Sequence, residues 1–214
     1  MITLYQRQDC PFCWRIRVLM VALGLEYRSV DISLGEKHPD IVRLSPAGRS
    51  SVPLLVDERG DLVIWESAVI ISYLQQKFDT QKILAPSGSD DFARLSLMNS
   101  YADASLGPAI KDTIFEKRAK AEADWDKLLL NQSEQKWQAC CQELEGYFQN
   151  GWVYEYPLQI AILGTRLGLG VKYGLTIPET CQSLSQWFAQ ISQSTWYKNS
   201  QPETCYWQGA LVSF

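Results

Sequence analysis

The 214-residue chain contains a single histidine, His38, and that scarcity narrows its chemistry at once. A structural zinc site needs four nitrogen or sulfur ligands. The six cysteines do not supply them: Cys140 and Cys141 are adjacent, Cys181 and Cys205 stand alone, and nothing repeats the spacing of Cys10 and Cys13. No metal is expected. Positive charge is also short. Lysine and arginine number 20 against 24 aspartates and glutamates, a net charge of −4, so the electrostatic footprint of a nucleic-acid binder is missing. Long apolar runs are absent too. The most apolar stretch, Ile160-Ala161-Ile162-Leu163, meets Arg166 well short of the roughly 20 residues a membrane helix requires. No charged leader precedes the strand-like Ile2-Thr3-Leu4-Tyr5, so a cytoplasmic location is expected, where thiols stay reduced. Cysteines there read as packing residues and at most a few active thiols, not as a disulfide framework. Cys140, Cys141, Cys181 and Cys205 fit the first description. Internal repeats and low-complexity tracts are lacking as well.

The sequence does carry a strong change of character. Ile2–Gln6 reads as a strand, and from Pro11 to Leu23 the apolar Phe12, Ile16, Leu19 and Leu23 recur at helical spacing until Gly24. Residues 27–32 alternate like a second strand, and residues 40–44 suit a short helix before Ser45-Pro46 and Gly48. Val52–Val56 and Leu62–Trp65 flank a polar, Gly-containing turn and predict a β-hairpin. A helix follows from Glu66, with Val69, Ile70, Tyr73, Leu74 and Phe78 on one face. The order βαβ, α, ββα predicts a four-stranded mixed sheet with helices packed on it. Beyond Phe78 no strand is expected. Helices are predicted over residues 91–120, bent at Pro108, and over 133–149, 157–172 and 179–192. The expected division is an α/β domain over 1–79, a linker over 80–89 and an all-helical domain over 90–214. The eight tryptophans and ten tyrosines serve mainly as core and interface packing, with some rings available to line an apolar site.

Asp9-Cys10-Pro11-Phe12-Cys13-Trp14-Arg15 carries the chemistry. A C-x-x-C pair can be a metal clip, a redox couple, a disulfide staple or an accident of packing. Strand–turn–helix context favours the redox couple. Proline suits the first helical turn, because its missing N–H would have no partner there. At that edge, free backbone N–H groups and the helix dipole stabilise a thiolate, and a cysteine pKa can fall from about 8.5 to roughly 3.5–7.5. Cys10 at the edge is the expected nucleophile and Cys13, one turn deeper, a possible resolving partner. Arg15 and Arg17 are expected to add positive charge.

Two further features belong with the pair. Val52-Pro53 opens a strand where proline cannot donate to the ladder. A cis bond there would present the Val52 backbone to an extended peptide, so a cis bond is expected. Glu66-Ser67 begins a helix straight after a strand, and a helix N-terminus with a serine hydroxyl is an anion site. With the Glu66 carboxylate beside it, the pair matches the head group of an α-amino acid. On Cys10-Pro11-Phe12-Cys13, Ser45-Pro46-Ala47-Gly48 leading to Val52-Pro53, and Glu66-Ser67, the chain resembles the glutathione S-transferase superfamily over its whole length. It looks most like the members that place cysteine at the first helix, the omega, beta and glutaredoxin-like classes.

That resemblance implies a thioredoxin-like glutathione-binding domain followed by a helical one, with glutathione as co-substrate and a homodimer as the assembly. It implies that Cys10 forms a mixed disulfide with glutathione and that Pro11 and Phe12 flank the thiol. Val52 would pair with the cysteinyl unit beside a cis Pro53, and Glu66 and Ser67 would hold the γ-glutamyl head. Lys37, with His38 beside it, lies near where the family meets the glycyl carboxylate, a solvated surface role being the alternative for both. The link Gly48-Arg49-Ser50-Ser51-Val52 is longer than the family's, and the Ser/Thr-x-x-Asp cap of its second domain is replaced by Tyr156-Pro157-Leu158-Gln159. The expected activity is thiol–disulfide transfer on a small apolar or disulfide co-substrate, bound between the domains with Tyr101, Phe115 and Trp207 as possible lining. Conjugation of glutathione to electrophiles, with Tyr5 as the hydroxyl, is the first alternative. A non-catalytic regulator or scaffold of the same fold is the second.

Overall fold

The computed structural model describes residues 1–45, 48 and 51–214. Part of the long link ahead of Val52, and Pro46-Ala47 of the quoted motif, lie outside the described residues. Strand β1 (Ile2–Gln6) is central in a four-stranded sheet of order β2-β1-β3-β4. It pairs in parallel with β2 (Arg28–Asp31), through the crossover helix α1 (Pro11–Ala22), and antiparallel with β3 (Leu54–Asp57). Strand β4 (Leu62–Trp65) closes the hairpin on β3. Helices α2 (Pro39–Leu44) and α3 (Ser67–Phe78) complete this half. The predicted βαβ–α–ββα order holds.

All five residues of β1 are buried, because helices cover both sheet faces. The two-residue period of a strand sends Ile2 and Leu4 into the main core. It sends Tyr5 to a smaller cluster with Ile32, Ile41 and Leu54. Helix α1 is not the one-sided helix its spacing predicts. Cys13 through Met20 are all buried, since the helical half of the chain closes over the face that the sheet leaves open. Phe12, expected on the core face, is instead 40% exposed. In α3 the buried residues are Ser67, Ile70, Ile71 and Leu74, whereas Val69 faces outward.

The second half consists of α4 (Ser89–Tyr101), α5 (Gly107–Ala119), α6 (Lys127–Gln149), α7 (Pro157–Gln159), α8 (Thr165–Lys172), α9 (Gln182–Gln193) and α10 (Thr195–Lys198). The bend expected at Pro108 takes the form of one widened, π-type turn over Ala102–Leu106 between α4 and α5. Proline has no N–H to bond back and crowds the carbonyl four residues earlier, and a widened turn relieves both. A second such turn, Ile160–Gly164, joins α7 to α8. Helix α8 passes close to α1 because residue 168 is glycine: a Cβ there would collide with the Tyr197 hydroxyl and come within 2.8 Å of the Trp14 ring.

One expectation is corrected. The chain does form strands after the linker, in a two-stranded hairpin of β5 (Thr204–Trp207) and β6 (Ala210–Ser213). Its turn residues Gln208 and Gly209 both have positive φ, 51° and 80°, as a two-residue type I′ turn demands. Their N–H groups donate to the Lys117 and Arg118 carbonyls at 2.8 Å. The turn thus supplies partners that carbonyls in the last turn of a helix otherwise lack. Among the described residues no helix is long and apolar enough to cross a membrane.

Candidate active site

Strand register brings the expected residues to one end of the sheet. Leu54 pairs with Tyr5 on one side and Trp65 on the other. The turn leading from Gln6 to Cys10, the Val52-Pro53 bond just before Leu54, and Glu66-Ser67 just after Trp65 therefore issue from the same edge. The Val52–Pro53 bond is cis, as expected.

Cys10 sits at the N-cap of α1 with extended backbone (φ −89°, ψ 121°) and Pro11 begins the helix. Its carbonyl accepts from the N–H groups of Cys13 (3.1 Å) and Trp14 (2.9 Å). Both thiols are buried, Cys10 at 5% exposure and Cys13 at 0%. The Arg7 N–H donates to the Cys13 sulfur at 3.5 Å. A hydrogen bond from Cys13 lowers the Cys10 pKa to about 6 against the cost of burial, helped by the Arg7 charge and by the N–H groups of Cys13 and Phe12. Burial and the neighbouring Cys10 push the Cys13 thiol well up. The two cysteines are thus separated into an anion and its donor.

The main cation acting on Cys10 is Arg7, which sequence reasoning missed; of the expected pair, Arg17 does act on Cys13 through its charge. Arg15 turns away to the Asp103 carboxylate, with Nη1 donating to Oδ2 at 2.9 Å and Nη2 to Oδ1. Arg17 donates to Gln6 Oε1 (2.7 Å) and to the carbonyls of Gln8 and Ser200 (2.9 Å each). Both are buried.

Ser67 is buried at the start of α3, and Glu66 caps that helix in the left-handed region, φ 67°, a conformation rare outside glycine. Lys37, Arg7 and Val52 line a cavity of about 140 Å³, so Lys37 does join the cis-Pro loop. His38 does not, since it caps α2 with Nδ1 accepting from the Asp40 N–H at 3.3 Å. Tyr5 is also elsewhere: its hydroxyl donates to Asp40 at 3.4 Å, and burial and that carboxylate raise its pKa. It is no thiolate-stabilising hydroxyl at Cys10.

A larger cavity of about 350 Å³ opens between α1 and α5, with Cys10, Pro11 and Phe12 on one wall and Ile110, Ile114 and Phe115 on the other. Of the three expected lining rings only Phe115 is there. Tyr101 faces a separate hollow with Tyr147 and Trp152, and Trp207 stacks on Tyr173 at 5.8 Å. The Phe12 ring carries the Arg166 guanidinium at 4.5 Å and that of Arg15 at 5.0 Å.

Asp9, next to Cys10, is the other residue that sequence reasoning missed. Its buried carboxylate accepts from Arg7 Nε (2.9 Å), pairs with Arg118 (3.0 Å), and accepts from the Tyr173 hydroxyl and the Tyr206 N–H (3.3 Å each). At the replaced cap of the helical half, Tyr156 makes no side-chain cap hydrogen bond, and Gln159 Oε1 instead accepts from the N–H of Tyr154, two residues before Tyr156, at 2.8 Å. Among the described residues no group of three or more histidine, cysteine or carboxylate side chains is placed to hold a metal ion.

Comparison with known proteins agrees with this geometry. Residues 9–77 match the family described as glutathione S-transferase, N-terminal domain. The chain is 33% identical over 96 residues to the glutathione S-transferase-like protein tpcF of Aspergillus fumigatus, 44% of this chain and 42% of that protein. It is 37% identical over 92 residues to glutathione S-transferase 2 of Schizosaccharomyces pombe, 41% of this chain and 39% of that protein. The matched stretch thus spans about two fifths of these relatives. The fold extends further. A theta class glutathione S-transferase from Xanthomonas axonopodis pv. citri, solved with glutathione bound, superposes with a TM-score of 0.80 at 19% identity, covering 93% of this chain and 96% of that one. A thioredoxin-like sheet domain joined to a helical domain is the shared architecture, and the family match covers residues 9–77 of it.

Proposed function

We propose that the chain is a cytoplasmic, glutathione-dependent thiol transferase of the cysteine type, working as a homodimer. The observation that carries this is the Cys10 thiol at the N-cap of α1, held down to about 6 by the Cys13 thiol, Arg7 and two backbone N–H groups, at the sheet edge shared by cis-Pro53 and Glu66-Ser67. In this reading Val52 and Pro53 receive the cysteinyl backbone of glutathione, and Glu66 and Ser67 receive its γ-glutamyl ammonium and carboxylate. Arg7 and Lys37 face its glycyl end. The Cys10 thiolate attacks the glutathione sulfur of a mixed disulfide, forming a Cys10–glutathione disulfide and expelling the co-substrate as its thiolate. A second glutathione, as thiolate, then attacks the glutathione sulfur of that adduct, leaving oxidised glutathione and the Cys10 thiolate. Cys13 is not consumed in this cycle.

The test is intact and peptide mass spectrometry after incubation with oxidised glutathione. A single glutathione adduct on Cys10, lost in Cys10→Ser and retained in Cys13→Ser, is expected. An adduct on Cys13, or none, overturns the reading. The apolar lining of the cavity beside Cys10 favours a second reading, conjugation of glutathione to electrophiles at the same site. It predicts conjugating activity that survives Cys10→Ser.

A further inference from the structure

The cavity between α1 and α5 is apolar in its walls but not in its charge. Arg7, Lys111, Arg118 and Arg166 line it against one carboxylate, Asp103. Behind that lining, Asp9 pairs with Arg7 and Arg118, and Arg15 joins Arg166 on Asp103. With Arg15 included, five cations stand against two carboxylates, in a chain whose net charge is −4. This excess is also shielded from water. Arg15, Arg118 and Arg166 are buried at 1%, 4% and 5% exposure. The Nε of each of the three finds no hydrogen-bond partner among the described residues. Buried polar groups are nearly always paired, and a buried cation needs a counter-charge. Asp103, the one carboxylate lining the cavity, is shared by two guanidinium groups.

The same cavity presents apolar surface next to these cations. Phe12 is 40% exposed and Phe115 57%, and guanidinium or ammonium groups lie over both rings: Arg166 over Phe12 at 4.5 Å, Lys111 and Arg118 over Phe115 at 5.9 and 5.5 Å. We infer that the molecule bound opposite Cys10 is an aryl or similarly apolar acid, its flat body between Phe12 and Phe115 and its carboxylate or other anionic group met by Arg118, Arg166 and Lys111. As a statement about a co-substrate this rests on the proposed function. As a statement about what the cavity binds, it rests on the lining alone.

The experiment is titration calorimetry on the intact protein with a matched probe pair, 2-naphthoate and 2-naphthamide, in the presence of saturating reduced glutathione. The two differ in charge and hardly in shape. The naphthoate is expected to bind about tenfold more tightly, with a preference that shrinks as salt is added. Lys111→Gln, at an exposed position where folding is not at stake, is expected to weaken naphthoate about threefold and leave naphthamide unchanged. Asp103→Asn is expected to tighten naphthoate. Equal affinities for the two probes overturn the inference, as does naphthoate binding that is present without glutathione and lost at its saturation, which would assign the cations to the tripeptide. Glutathionylation of Cys10, measured separately, distinguishes the failures. An adduct without probe discrimination sinks only this inference; discrimination without an adduct supports it and sinks only the thiol-transfer reading.

Discussion

Replacing Cys13 by alanine removes the hydrogen bond that does most to hold the Cys10 pKa at about 6. A hydrogen bond to a charged group contributes about 1.5–3 kcal/mol. A thiol is a weak donor, so the low end applies, and about 1.4 kcal/mol corresponds to one pKa unit. Cys10 in Cys13→Ala is therefore expected to titrate near 7. The sign follows from which form is stabilised. The donor favours the thiolate, so its loss moves deprotonation to higher pH, and the thiolate fraction at about pH 6 drops from about one half to about one tenth. Rate at a single pH is a poor readout, because a thiolate of higher pKa is also more nucleophilic, by about threefold per unit. The assay is the full pH profile of iodoacetamide alkylation, with Cys10 confirmed as the modified residue by mass. Its midpoint should rise by about one unit and its high-pH plateau by about threefold. Cys13→Ser keeps a hydroxyl donor at the same place and should leave the midpoint near that of the wild type. A Cys13→Ala midpoint that does not move, or a serine variant that shifts as far as the alanine one, would refute the donor role.

Other outcomes follow from the packing. Asp9→Asn leaves the buried Arg118 guanidinium without its counter-charge, and a destabilisation of about 3 kcal/mol is expected in urea unfolding, the range for breaking a buried pair. Gly168→Ala drives a methyl into Trp14 and the Tyr197 hydroxyl; a loss of about 1–3 kcal/mol is expected, seen as a Tm lowered by about 2–4 °C per kcal/mol. The Asp57 carboxylate is buried and accepts from Arg59, Tyr73 and Lys77, which holds its pKa far below the usual carboxylate range. A depressed folded pKa gives stability that is complete above about pH 4 and lost as the pH falls further. Asp57→Asn should flatten the acid limb of the stability curve below about pH 4, and an unchanged limb would assign it to other groups. The homodimer is checked by light scattering, where a stable monomer at micromolar concentration would remove it from the proposal.

The local half of the molecule was legible because its signals are local. β1, α1, the β3–β4 hairpin and the caps at Cys10 and Glu66 each announce themselves within a dozen residues. The βαβ connection then leaves few ways to assemble them. The end hairpin was also written locally, and was missed. Tyr206-Trp207-Gln208-Gly209-Ala210-Leu211-Val212 is a pair of strand-like runs around a two-residue turn, with glutamine where asparagine would have been the stronger signal. Phe12 was misplaced because helical spacing shows that residues share a face, not which neighbour covers it. Arg15 was misassigned for a related reason: proximity in sequence to Cys10 does not fix where a long side chain ends, and its guanidinium pairs with Asp103.

The part of the site that was not legible is the part built from the other end of the chain. Asp103, Arg118 and Arg166 lie from 88 to 151 residues beyond Arg15, and no spacing rule connects them. Arg166 had left one trace, a charge interrupting an apolar run, which excluded a membrane span without revealing the Asp103 partner that makes its burial tolerable. Asp9 joins the two halves chemically. The cation that helps hold the Cys10 thiolate, Arg7, is itself held by Asp9. Asp9 in turn is fixed by Arg118 at the end of α5, by Tyr173 beyond α8 and by the Tyr206 N–H of the terminal hairpin. The hairpin turn is bonded to the Lys117 and Arg118 carbonyls, so the same strand pair braces both the arginine and the aspartate. The thiol at residue 10 therefore takes part of its electrostatic setting from residues after 200. That is why the motif alone identifies the thiol but not the charge around it.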